Sequence, residues 1–172
     1  MTQLAVTVIG RDRPGIIADV TGVLAGLGGN LEDSSMTILR GHFAMTLIVT
    51  TRAEPAEVER ALEPLTADGS LIVSVRGVRE EAGGGARGVP YLLSVHGADR
   101  PGIVSAITRV LADAGGNVTD LITRLTETLY VLVLEVDVPA GADAASLQAQ
   151  LRRTARELGV DISWRPAEAD VL

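Results

Sequence analysis

The stretch GRDRPGIIADV, residues 10–20, returns 87 positions later as GADRPGIVSAI, residues 97–107. Each copy sets Asp-Arg-Pro-Gly between an apolar run and a segment whose apolar residues recur every third or fourth position, the spacing of one helix face. Sliding the chain on itself by 87 aligns VTVIGRDRPGIIADVTGVLAGLGGNLED, residues 6–33, with LSVHGADRPGIVSAITRVLADAGGNVTD, residues 93–120, without a gap. A self-match of this length marks a duplication. Between the copies, residues 79–89 are dominated by glycine and charge, have little to bury and are expected to form a flexible linker. The expected organisation is therefore a domain at residues 1–78, a linker at 79–89, a second domain at 90–166 and a tail at 167–172.

The same order of elements is expected in both copies. Residues 4–9 and 91–96 are short apolar runs suited to strands. The helix that follows carries Ile16, Val20, Val23, Leu24 and Leu27 in the first copy, and Ile103, Ile107, Val110, Leu111 and Ala114 in the second. Gly28-Gly29 and Gly115-Gly116 should stop it, since glycine accepts the left-handed conformation favoured just past a helix C-terminus. Two strands come next, about residues 31–39 and 43–50 in the first copy. A second helix is marked by Val58, Ala61, Leu62 and Leu65, which Pro64 should kink or end, and by Leu147, Leu151, Ala155 and Leu158. Residues 71–75 and the alternation of Val160, Ile162 and Trp164 close each copy with a strand. The order β-α-β-β-α-β is the ferredoxin-like split arrangement, an α+β fold with helices on one face of an antiparallel sheet. Its edge strands call for a cover or a partner, and side-by-side pairing of the two copies is expected to supply one.

Composition narrows the function. The chain has 172 residues, 47% of them hydrophobic, enough for buried cores. It contains no cysteine, which excludes disulfides and thiolate ligands and accords with a cytoplasmic location. No stretch has the length of a membrane span or the pattern of a secretory signal. With a net charge of −7 and 2% aromatic residues, the sequence lacks the basic stripes and stacking platforms of a nucleic-acid surface. His42 and His96 are far apart in sequence, and the usual nucleophile, phosphate-loop and metal motifs are missing. No catalysis, cofactor or metal is expected.

Function must then be sought at the repeated turn. Proline suits the first turn of a helix, and Asp12 and Asp99 are placed to cap it. A well-built helix start would account for those two residue types alone. Gly15 and Gly102 point further, because glycine in a first turn costs roughly 0.5–1 kcal/mol against alanine and allows a close approach to the backbone. Free amides and the positive end of the helix dipole make an anion the fitting visitor. Asn30 and Asn117, each 18 residues after the aspartate of its copy, add a donor and an acceptor, or serve simply as turn residues. An α-amino acid could use the amides for its carboxylate and the Asp and Asn oxygens for its ammonium. His96 is expected to pack within its strand and His42 to lie in a solvated hairpin turn.

With DRPGI and GGN present twice, the chain resembles the ACT domain family, the amino-acid-sensing modules of biosynthetic enzymes and their regulators, and in its tandem organisation the glycine-cleavage-system transcriptional repressors. Serine-inhibited members of the family place a polar residue before Arg-Pro-Gly and an asparagine 18 positions later, where this chain has Asp12 with Asn30 and Asp99 with Asn117. They also place a histidine where this chain has Gly10 and Gly97, which leaves one of the family's ligand contacts unaccounted for. The resemblance implies ligand contacts from Asp12, Arg13, Gly15, Ile16 and Asn30, and from Asp99, Arg100, Gly102, Ile103 and Asn117, at the interface between ACT units. It implies a small amino acid as ligand, with glycine and serine the first candidates, a homodimer, and a protein partner such as a transcription factor or a metabolic enzyme. Transcriptional control through that partner is the favoured role. A regulatory subunit of an amino-acid metabolic enzyme and a purely dimerising module are the alternatives.

Overall fold

The computed structural model of the chain describes residues 1–78, 88–126 and 129–167. These fall into two compact units, one on each side of the stretch 79–87. Most of the sequence-expected linker and tail, residues 79–87 and 168–172, lies outside the described residues.

The first unit runs β1 (Thr2–Arg11), α1 (Ile16–Gly26), β2 (Asn30–Leu39), β3 (His42–Thr51), α2 (Pro55–Leu62) and β4 (Leu71–Val78). The second repeats it as β5 (Val89–Gly97), α3 (Ile103–Asp113), β6 (Asn117–Leu125), β7 (Tyr130–Val138), α4 (Ala144–Leu158) and β8 (Val160–Pro166). Each sheet is antiparallel, in the orders β2-β3-β1-β4 and β6-β7-β5-β8, which is the ferredoxin-like arrangement. β5 opens at Val89, which the sequence reading had assigned to the linker, and Val89 pairs with Val138.

Each unit closes its own core by alternation. Leu4, Val6 and Val8 of β1 and Phe43, Met45, Leu47 and Val49 of β3 are buried under Ile16, Val20 and Leu24 of α1 and Val58 and Leu62 of α2. Leu93 and Val95 of β5 and Leu132, Leu134, Val136 and Val138 of β7 meet Ile103, Ile107 and Leu111 of α3 and Leu147, Leu151 and Ala155 of α4 in the same way. Past α1, the Gly29 amide donates to the Leu24 carbonyl and the Gly28 amide to that of Ala25, both at 2.9 Å, and Gly28 holds a φ of 67°. This is a Schellman ending, and Gly115-Gly116 repeat it after α3. The buried Thr51 hydroxyl donates to the Leu27 carbonyl at 3.1 Å and ties the end of β3 to the end of α1. α2 ends at Leu62 and passes into a 3-10 turn, Glu63–Leu65, that contains Pro64.

β2 is exposed at every residue and β6 at all but Val118, although both are paired on one side apart from single-residue bulges at Glu32 and Thr119. Their Leu31, Met36, Ile38, Leu39, Leu121, Ile122 and Leu125 stand in solvent within these units. His96 is also exposed, which corrects the expectation that it packs. It alternates with the buried Leu93 and Val95 side chains and lies on the face of the sheet away from its own unit's helices. His42 is exposed beside the tight hairpin at Arg40 and Gly41, as expected. Among the described residues no helix is long and apolar enough to cross a membrane.

Candidate functional site

The Asp-Arg-Pro-Gly turn lies between the end of β1 and the start of α1, but it is built differently from the sequence expectation. α1 begins at Ile16 and its N-cap is Gly15, at φ 90°, with no side-chain cap bond; α3 begins at Ile103 behind Gly102, at φ 93°. Asp12 and Asp99 therefore do not cap these helices, and Pro14 and Pro101 precede the first turn rather than forming it. The glycines sit at the cap itself, and their positive φ explains them: a Cβ on Gly15 would meet nothing nearer than 3.9 Å, so it is backbone conformation that excludes a side chain. Because no side chain caps either helix, the first-turn amides are left without the partners a cap would supply.

In the first unit this opening is one end of a groove of about 510 Å³. Asp12, Arg13, Pro14 and Gly15 form the polar end, and Ile17, Met36, Ile38 and Phe43 line the remainder. The registers place Met36 and Ile38 opposite Met45 and Phe43, on the helix-bearing side of the sheet, so β2 forms the wall that faces the start of α1. The Asp12 amide donates to the Gly41 carbonyl at 3.0 Å, tying the turn to the β2-β3 hairpin. Arg13 pairs with Asp19 at 3.0 Å, and both side chains are about two-fifths exposed (40% and 42%), so solvent screens the pair and it contributes little to stability.

The second unit uses the same turn with other neighbours. Ala106 stands where the first copy has Asp19, and Arg100 donates instead to the Leu158 carbonyl at 3.3 Å, at the end of α4. The positions equivalent to Met36, Ile38 and Phe43 hold Thr123, Leu125 and Tyr130. Partial burial raises the Tyr130 pKa, and the nearby Asp99 carboxylate raises it further.

The asparagines lie elsewhere. Asn30 pairs with Thr50, which pairs with Gln3, so Asn30 is level with a residue nine positions before Asp12 on β1. At about 3.3 Å per residue that separation is about 30 Å. Asn117, level with Pro90 through Asp137, is equally far from Asp99. No small amino acid spans that distance, so the turn and the asparagine of one unit cannot share one. Asn117 belongs to a different groove of about 440 Å³, with Ser105, Thr108, Arg109 and Val118, between α3 and β6. The separation follows from the strand registers, since β1 carries the chain up to the turn and α1 with Gly28-Gly29 returns it toward the opposite end of the sheet.

Gly10 has a steric cause too. A Cβ there would lie 2.1 Å from the Ser70 carbonyl oxygen, so no histidine fits at this position of the first unit. At Gly97 the obstruction is Val160, whose Cγ1 would lie 2.9 Å away. Glu32, the extra residue of a bulge in β2, accepts hydrogen bonds from Thr50 and Gln3, which hold its carboxyl below the usual range. Its place in a bulge gave no signal in the sequence. Among the described residues no group of three or more His, Asp or Glu side chains is placed to hold a metal.

Two βαββαβ units, each opening its first helix with the same turn, define a tandem ferredoxin-like module. The ACT domain model matches residues 2–76 and again 90–165, and the chain belongs to the ACT domain family, a family of regulatory domains. An unknown protein from Galdieria sulphuraria is 32% identical, with a TM-score of 0.83 over 97% of this chain and 99% of that one. A proposed glycine cleavage system transcriptional repressor shares the fold at 20% identity, with a TM-score of 0.74 over 97% of this chain and 98% of that one. A UPF0237 protein of Methanopyrus kandleri is 46% identical over 65 residues, which is 38% of this chain and 72% of that protein.

Proposed function

We propose that this tandem ACT protein is a non-catalytic sensor that binds a small amino acid and passes the signal to a protein partner in the cytoplasm. The observation that carries the reading is the first unit's groove, where uncapped helix amides, Asp12 and Arg13 meet at one end. The amides and dipole of α1 suit a carboxylate, and Asp12 suits an ammonium. Repetition of the turn at Asp99, Arg100, Gly102 and Ile103 supports a second site of the same kind. Asn30 and Asn117 join such a site only when turn and asparagine come from two different ACT units, in one chain or in two. Transcriptional control through the partner is the favoured role, by likeness to the repressor fold.

A ligand that binds only the folded state stabilises it by RT ln(1 + [L]/Kd). The test is a thermal-shift panel of the twenty amino acids, glycine and serine included, at millimolar concentration. At least one is expected to raise the melting temperature, and Asp12→Ala or Asp99→Ala to diminish the shift. A flat panel overturns the reading.

A further inference from the structure

We infer that the groove of the first unit selects an α-amino acid with an apolar side chain of about three or four heavy atoms, in preference to glycine or serine. The inference rests on the amino-acid-sensing reading and names the ligand class for one of the two units. The charged lining residues are Asp12 and Arg13, adjacent in the turn, and Ile16, Ile17, Ala18, Met36, Ile38 and Phe43 are apolar. Phe43 is buried in its floor at 2% exposure, while Ile17, Met36 and Ile38 remain 46%, 43% and 47% exposed along its sides. A zwitterion seated at the charged end by complementarity directs its side chain along these three residues. Glycine would leave them in water, and a serine hydroxyl would cover little of their apolar surface. Each methylene buried there is worth about fourfold in affinity, so leucine or methionine gains at least about tenfold over glycine even when only part of its side chain is covered.

The second unit supplies an internal contrast. Thr123 and Tyr130 replace Met36 and Phe43, so the wall and floor each gain a hydroxyl on an unchanged backbone plan. Met36→Thr and Phe43→Tyr are therefore side chains that this fold already carries at these positions.

Calorimetry of the full chain with glycine, serine, leucine and methionine tests the inference. Leucine and methionine are expected to bind at least about tenfold more tightly than glycine, at a site lost in Asp12→Ala and kept in Asp99→Ala. In the Met36→Thr/Phe43→Tyr variant the leucine-to-serine affinity ratio is expected to fall at least about tenfold. Should the double variant not fold, the half-exposed Met36→Thr alone is read for the same ratio. Glycine or serine binding as tightly as leucine overturns the side-chain assignment and leaves the sensing reading standing. A leucine preference that survives the substitutions also overturns it. Substitutions that change only sedimentation of the chain assign the groove to contact with a second copy and overturn it as well. Absence of binding by all four amino acids overturns it together with the sensing reading.

Discussion

Gly15 and Gly102 carry more of the site than the charged residues beside them. Each turns the chain into its helix at a φ of 90° or 93°, where a Cβ would collide with its own backbone rather than with a neighbour. Gly15→Ala is expected to cost about 1–2 kcal/mol in urea unfolding through this backbone term alone. An unchanged stability would mean that the turn relaxes to a negative φ, and that the groove opening is not held by the backbone. In the sequence these glycines were visible as a repeat, but their reason was not, because a cap position and a first-turn position differ by one residue. Asp12 and Asp99 lie three residues before the caps, because Arg13-Pro14 and Arg100-Pro101 form a turn ahead of the helix.

Among the elements, the helices end by different chemistry, and their sequences signal it unequally. α4 starts with Asp143, whose carboxylate accepts from the Ser146 amide at 3.0 Å, whereas the N-cap of α2, Glu54, makes no such bond. Asp143→Ala is expected to cost about 1 kcal/mol and Glu54→Ala only a few tenths, both measured by urea denaturation. Equal costs would show that the Asp143 cap contributes nothing. The strands divide in the same manner. β1 and β5 were readable as apolar runs because they lie inside the sheets and bury one face. β2 and β6 carry apolar residues without burying them in their own unit, since an edge strand has one side unpaired and the helices cover the sheet only in part.

At the scale of the whole molecule, the net charge of −7 bears on the proposed role. Binding to DNA by counterion release needs a concentration of Lys and Arg, which a net charge of −7 does not favour. The purified chain is therefore expected not to retard a promoter fragment at physiological salt, even with an amino acid present. Specific retardation by the chain alone would remove the need for a protein partner. The duplication, the order of elements, the helix stops at Gly28 and Gly115 and the core faces of α1 and α3 were determined by the sequence, because each depends on spacing within a few residues of chain. Only the tertiary structure decided that Asp12 and Asn30 stand about 30 Å apart, since that distance follows from strand register and a rise of about 3.3 Å per residue. It alone brought Met36, Ile38 and Phe43 beside the Asp12 turn, because residues more than twenty positions apart meet there through cross-strand pairing that leaves no mark on local sequence.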